Sequence, residues 1–392
     1  MSSSILLVRT ALLLGIIFSS TIPALGSSDS PAFFVFGDST VDPGNNNYIG
    51  TTPEFRADFE PYGRNGFFDK PTGRFSDGRV IVDFIAEYAG LPIIPAYKQP
   101  GADFSHGANF ASGGAGVLPE TNRGMVIDLP TQLKDFEEVE KWLIEKVGTD
   151  KAKEVLREAV YFISIGSNDY LGGYRGNPEM RQRYRPEAFI GTVVGNLTST
   201  IQDLYEKGAR KFGFLSIGPL GCLPALRAQN AATSGNNNGA CLEEASSLAQ
   251  AHNNALKSLL FSLSAIFRDI KYCNSDFYDW IEDKLNNPAK HGFKDGERAC
   301  CGAGPFGGLY TCGGQREAKE YSLCKDADME GYIWFDSFHP TERIHEEYAR
   351  MFWDGPSSLV GPYTLRQLFT GKRIIADYVD DPKEEDPFAS LS

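Results

Sequence analysis

The run Phe33-Phe34-Val35-Phe36, halted by Gly37-Asp38-Ser39, limits the possible folds more than any other stretch. Apolar residues rich in aromatic and β-branched side chains, broken by a glycine where the backbone must turn, read as a buried strand. A residue just past the carboxyl end of such a strand stands where open α/β sheets place their chemistry. Ser39 is that residue. A serine hydroxyl becomes a nucleophile only beside a base and an oxyanion site. Near the other end of the chain, Asp336-Ser337-Phe338-His339-Pro340-Thr341 offers an imidazole and a carboxylate to orient it.

The chain between these two stretches alternates strand-like and helix-like segments. Helices are expected over Arg79 to Ala89, around the apolar face Leu133, Phe136, Val139 and Leu143 before Gly148, from Pro186 to Gly208, and from Leu242 to Phe267. Strands are expected over Tyr161 to Ile165, Lys211 to Ile217, and Ile270 to Phe277. The Gly-, Pro- and Asn-rich stretch from Asp42 to Gly78 has no sustained periodicity and reads as loop. Such alternation, without an internal repeat, predicts an α/β fold: a three-layer α/β/α sandwich around a central, mostly parallel sheet.

The first 26 residues read as a secretory leader. Arg9 precedes the apolar stretch Ala11 to Phe18, and Ala24-Leu25-Gly26 supplies small residues for cleavage. The expected organisation is a leader over 1–26, one domain over 27–375, and an acidic, disordered tail over 376–392 that includes Asp380-Asp381-Pro382-Lys383-Glu384-Glu385-Asp386. No later segment is long and apolar enough to span a membrane. A net charge of -13 argues against a nucleic-acid partner, because an acidic surface repels phosphates.

Seven cysteines suit an oxidising compartment and leave at least one unpaired within the chain. Cys222 and Cys241 flank the polar loop Thr233 to Gly239 and can close it. Cys300, Cys301, Cys312 and Cys324 form a stapled loop, whose spacing lacks the Cys-x-x-Cys pairs and the histidines of a zinc site. Cys273, in an expected strand, is the candidate free thiol. Gly302-Ala303-Gly304-Pro305-Phe306-Gly307 fits a dinucleotide-binding pattern, but no convincing strand precedes it and Pro305 stands where a helix should begin. No cofactor or metal is called for.

Among the five histidines, His339 combines a carboxylate three residues before it, Asp336, with a helix start just after it. His252 falls on a helix face with Leu248, Leu256 and Leu259 and reads as a core residue. His345 reads as a surface residue, and His106 and His291 lie in less regular stretches. Two further stretches can supply oxyanion donors: the backbone of Gly107 to Gly116, and Gly166-Ser167-Asn168-Asp169 with its Asn168 amide. Asn196-Leu197-Thr198 is an acceptor for N-glycosylation on the polar face of its helix.

Four of these stretches, Phe36 to Tyr48, Asn109 to Gly116, Gly166 to Asp169 and Asp336 to Thr341, resemble the signature blocks of the SGNH, or GDSL, hydrolases. The likeness is specifically to the plant GDSL esterase/lipase family. It extends through Pro71 to Gly78, Gly218 to Cys222 and Ala299 to Gly302, and so covers nearly the whole chain short of the leader and tail. The resemblance implies Ser39 as nucleophile, His339 as general base and acid, and Asp336 as its orienting residue. The implied oxyanion hole comprises the Ser39 and Gly113 N–H groups and the Asn168 side chain, with Gly114 an alternative to Gly113. One departure is Thr40, where the family's name-giving motif has leucine; it touches packing beside the site and leaves the nucleophile in place. No serine here sits in a Gly-x-Ser-x-Gly elbow.

The reaction implied is two-step acyl transfer through an acyl-enzyme, on a small-molecule or lipid ester, by a secreted, apoplastic hydrolase. The same site with an alcohol as acceptor would be an acyltransferase, and without turnover the chain would be a secreted binding protein. Residue identities alone do not choose between water and alcohol, because pocket shape decides the acceptor.

Overall fold

The computed structural model describes residues 30–234, 239–309, 311–312 and 321–372; the leader and the acidic tail lie outside them. Five strands run parallel: β1 (Phe33–Gly37), β2 (Gly107–Asn109), β3 (Val160–Ser164), β4 (Lys211–Leu215) and β5 (Lys271–Ser275). Among the later strands, β6 (Asp295–Ala299) pairs with β9 (Tyr332–Trp334), and β7 (Cys301–Gly302) pairs with β8 (Ser322–Leu323). β10 (Val360–Pro362) returns antiparallel to β5 and completes a sheet of order β2-β1-β3-β4-β5-β10. In such a sheet the strand order reverses between β1 and β3, which leaves a crevice at their carboxyl ends.

The first helices are α1 (Ile81–Tyr88), α2 (Leu129–Val147), α3 (Thr149–Glu158), α4 (Pro178–Arg183) and α5 (Pro186–Glu206). They are followed by α6 (Pro224–Ser234), α7 (Glu243–Ile266), α8 (Phe277–Asn286), α9 (Glu342–Asp354) and α10 (Leu365–Thr370). Side chains along a strand alternate between faces, and β1 uses both. Phe34 and Phe36 enter a core with Phe136 of α2, Val193 of α5 and Leu256 of α7. Phe33 and Val35 enter a second core with Phe84 of α1, Phe352 of α9 and Leu368 of α10. Two apolar cores on opposite faces of one sheet make the three layers expected from the sequence.

The expected helices and strands all form, with ends shifted by a few residues, and three stretches carry detail that the sequence reading did not give. The last expected strand stops at Ser275, because Asp276 caps α8 by accepting the Asp279 N–H, so Phe277 is helical. Gly107 to Asn109, the start of the Gly-rich stretch expected to supply backbone donors, forms an edge strand. The stretch from Asp42 to Gly78 contains two 3₁₀ turns, and it buries Asp42, Asn45, Asn46 and Arg74. Its polar side chains replace periodicity as the source of order: the Asn45 amide donates to the Asn109 and Ala111 carbonyls, and the Asn46 amide donates to those of Phe55 and Gly113.

Cys222 bonds to Cys241, Cys300 to Cys324 and Cys301 to Cys312, while Cys273 is a free, buried thiol whose pKa burial pushes up. The stapled segment is attached to the carboxyl end of β9, because the N–H groups of Cys300 and Cys301 donate to the Trp334 and Phe335 carbonyls. Three histidines find partners. His252 is buried and hydrogen-bonded to the Tyr170 hydroxyl, as a core residue should be. His345, expected at the surface, is buried and accepts the Ile81 N–H at Nδ1, because α9 packs on α1. His291 meets Asp283 at 2.7 Å across a turn that its sequence spacing does not reveal.

Candidate active site

Ser39 follows β1 in a tight turn that closes where the Val41 N–H donates to the Asp38 carbonyl. Gly37 begins this turn under close approach: a Cβ there would stand 2.5 Å from both the Ser164 carbonyl oxygen of β3 and the Val41 side chain. Gln132, buried in α2, clamps the same residue. Its Oε1 accepts the Gly37 N–H at 2.9 Å, and its Nε2 donates to the Gly37 carbonyl at 2.8 Å and to the Ile127 carbonyl at 2.9 Å. The turn that carries Ser39 is therefore fixed from two layers before Ser39 makes any contact of its own. The Thr40 N–H and hydroxyl both donate to Asp38, which gives the threonine at the family's leucine position a role of its own. Burial nonetheless pushes the Asp38 pKa up to about 6.

His339 and Asp336 share one turn after β9. The Phe335 N–H donates to the His339 carbonyl, and Asp336 Oδ1 accepts the N–H groups of Phe338 and His339. This fold-back sets His339 Nδ1 2.8 and 2.9 Å from the two carboxylate oxygens of Asp336. With Nδ1–H donating there, Nε2 is left as an acceptor. Ser39 Oγ lies 2.7 Å from Nε2 and donates to it. Burial pushes the Asp336 pKa up, but the His339 charge and hydrogen bonds from His339, Tyr62 and Phe338 more than offset it, so the carboxyl is held below its ordinary value. Phe75 covers the imidazole, with ring centroids 4.8 Å apart.

The stretches expected to supply oxyanion donors converge on the same place. Asn168 Nδ2 donates to the Ala115 carbonyl at 2.9 Å, which fixes the amide and leaves its second N–H for the cavity it lines. Asp169 is buried and ties the end of β3 to the Gly-rich stretch by accepting from the Val117 and Leu118 N–H groups and the Thr121 hydroxyl. Burial pushes its pKa up to about 6 against those donors. Gly113 departs from expectation. Its N–H donates to Asp42 Oδ2 at 2.8 Å, so that group is committed to a buried carboxyl. Gly114, not Gly113, lines the cavity, and its φ of +84° is a conformation that glycine adopts readily.

Ser39, His339, Asn168 and Gly114 border one cavity of about 700 Å³. Its walls are mostly apolar and include Phe75, Leu171, Ile217, Leu223, Phe277 and Trp334. Concave, mostly apolar spaces of this size with a few convergent polar groups are the usual form of small-molecule sites. Two contributors carry little signal in the sequence. Gln132 could have been noticed as a polar residue within the buried helix stripe Leu129, Phe136, Val139 and Leu143. Tyr62, whose hydroxyl donates to Asp336 Oδ2 at 2.7 Å, comes from a stretch without periodicity.

The mostly parallel sheet brings serine, histidine and aspartate, hydrogen-bonded in series, to its switch point, and these are the groups that serine hydrolases use for acyl transfer. The GDSL-like lipase/acylhydrolase model matches residues 33–352, and the chain belongs to that family of ester hydrolases. A GDSL lipase of Tanacetum cinerariifolium is 44% identical over 364 residues, covering 92% of this chain and 94% of that protein. GDSL esterase/lipase 5 of Arabidopsis thaliana is 44% identical over 357 residues, 90% of each chain. GDSL esterase/lipase 6 of the same plant is 35% identical over 381 residues, 95% of this chain and 98% of that one. No helix among the described residues is long and apolar enough to cross a membrane.

Proposed function

We propose that the chain hydrolyses carboxylic esters through an acyl-enzyme on Ser39. The observation that carries this reading is the unbroken series Ser39 Oγ, His339 Nε2, His339 Nδ1 and Asp336, with no link longer than 2.9 Å. Ser39 Oγ bonds to the ester carbonyl carbon while its proton passes to His339 Nε2. The imidazolium so formed is stabilised by Asp336, which stays ionised. The carbonyl oxygen takes up negative charge, and the Asn168 amide with the Ser39 and Gly114 N–H groups stabilises it. Collapse breaks the bond to the alcohol oxygen, which leaves with the proton from His339. Water then repeats the sequence and frees the acid and Ser39. Fixed donors aimed at the developing oxyanion are each worth about 3 kcal/mol in the transition state. The Gly113 N–H would join them only by leaving Asp42.

We further infer export from the cell, on the leader-like first 26 residues and three disulfides. Asn196 is exposed on α5 and is proposed as a glycan acceptor.

The test is labelling with a fluorophosphonate followed by peptide mass spectrometry. One adduct on Ser39, absent in His339→Ala, is the expected result. Absence of any adduct on folded protein would turn the reading toward a binding protein without turnover.

A further inference from the structure

Arg175 is the only arginine or lysine among the described residues that line the cavity. It ends a π-helical turn, Asp169–Arg175, that begins directly after Asn168. Single π turns recur at functional sites because they displace side chains that a regular helix would stack in register. The Arg175 side chain is 9% exposed, so most of its guanidinium is withdrawn from water.

A guanidinium so placed ordinarily has its donors filled, because an uncompensated buried charge is costly. Arg74 shows what filling means in this protein. It forms a fork on Asp83 with two contacts of 2.7 Å, and it donates further to the Pro43 carbonyl and the Thr72 hydroxyl. Arg175 is held far more loosely. Both Nη atoms reach only the neutral Oε1 of Gln229, each at 3.4 Å. Nε is buried and has no hydrogen-bond acceptor among the described residues; its nearest anion, Glu244 Oε2, is 3.7 Å away on a half-exposed side chain. Gln229 also lines the cavity, and while its oxygen accepts from Arg175 its NH₂ remains a donor beside the fork.

We propose that Arg175 receives a carboxylate of the substrate, so that the preferred ester carries a second, ionised carboxyl group on its acyl or alcohol part. The planar fork matches two carboxylate oxygens. Glu244, close enough to repel added negative charge, favours a monoanion over a phosphate dianion. The proposal rests on the ester-hydrolase reading for the site that would act on this substrate.

The test uses the purified full chain and matched probes: mono-4-nitrophenyl esters of dicarboxylic acids of four to ten carbons, each against the same ester with its free carboxyl capped as a primary amide. A second arm uses acetate esters of hydroxy acids against their amides. In at least one arm, kcat/KM for the carboxylate probe should exceed that for the amide by tenfold or more at some chain length. That ratio should fall at least tenfold in Arg175→Gln and in part in Arg175→Lys, which keeps the charge without the fork. No carboxylate preference in either arm of the wild type overturns the proposal, as does a preference that survives Arg175→Gln. The wild-type comparison and Arg175→Lys decide the matter if Arg175→Gln does not fold. Binding is read apart from turnover by melting temperature with hexanoate and with hexanamide. A larger rise with hexanoate, lost in Arg175→Gln, supports the carboxylate site even where no ester is turned over; equal rises speak against it. Failure of fluorophosphonate labelling would count against the hydrolase reading alone.

Discussion

Tyr62 Oη donates to Asp336 Oδ2 across 2.7 Å, linking residues 274 positions apart in the chain. Asp336 has no solvent exposure, so its lone pairs must be met from within the protein. The Phe338 and His339 N–H groups meet Oδ1, His339 Nδ1 faces both oxygens, and Tyr62 supplies an independent donor to Oδ2. Burial first, and the adjacent carboxylate next, raise the Tyr62 pKa and keep the phenol protonated as a donor. Aromatic contacts with Phe59, Phe75 and Phe335 fix its ring. In the proposed reaction Tyr62 is a positioning residue that acts through Asp336.

Tyr62→Phe keeps the ring and removes this hydrogen bond together with the one the hydroxyl shares with the Thr311 side chain. A hydrogen bond to a charged group contributes about 1.5–3 kcal/mol, of which part reaches the transition state, so kcat should fall about tenfold with little change in KM. The bond is one of the causes holding the Asp336 pKa down. Without it the carboxyl takes a proton more easily, and the acid limb of the kcat profile should move to higher pH. A pH series on wild type and variant reads both effects, and coincident profiles would leave Tyr62 a packing role only.

Asn168→Ala removes the side-chain donor proposed for the oxyanion. Its structural bond is a single one, to the Ala115 carbonyl, so loss of stability should stay near about 1 kcal/mol. The loss in kcat should be about 10²–10³. Steady-state kinetics beside a denaturant titration separate the two. A kcat within a factor of three of wild type would exclude Asn168 from the oxyanion site.

The legible parts of this molecule were those written in local pattern. Phe33 to Phe36 announces a buried strand because its neighbours repeat the same demand, and Pro186 marks the start of α5 because its missing N–H is harmless there. Asp336 and His339 were readable as a pair because one turn unites them. Other features depend on distant partners. β2 is three small residues whose strand character comes from pairing with β1. Gly113 and Gly114 are equivalent as letters, and only the peptide orientation set by Asp42 tells them apart. Asn45 and Asn46 read as loop residues because their order comes from carbonyls more than 60 residues away.

Gln132 is the polar exception in the buried stripe of α2, and Gln132→Leu fills the same space without its hydrogen bonds. The Gly37 N–H and the Ile127 carbonyl would each lose this partner inside the protein; the Gly37 carbonyl keeps the Ser112 N–H. Buried groups left unsatisfied cost about 1–3 kcal/mol each. The expected destabilisation is about 3 kcal/mol by urea titration. Because Gly37 leads directly into Ser39, the folded fraction should also turn over more slowly. Wild-type stability in the variant would show that another donor and acceptor replace the amide.

His252 gives the fold a dependence on pH that is separate from catalysis. Burial lowers its pKa to about 4 from an ordinary value of 6.5. A base with a depressed folded-state pKa binds its proton more readily when the chain unfolds. Stability is therefore complete above the unfolded value and declines as pH falls from about 6.5 toward 4, where the folded state begins to take up the proton. From pH 7 to pH 4 this one group should cost about 3 kcal/mol. His252→Gln retains a side chain able to hydrogen-bond the Tyr170 hydroxyl and has nothing to titrate. Urea titrations of both proteins across that range should give unfolding free energies whose difference shifts steadily against the wild type as pH falls, while His345 and the buried aspartates, common to both, cancel. Parallel curves would mean that His252 binds its proton equally well in the folded and unfolded chains, which a histidine sealed between α7 and Tyr170 should not do.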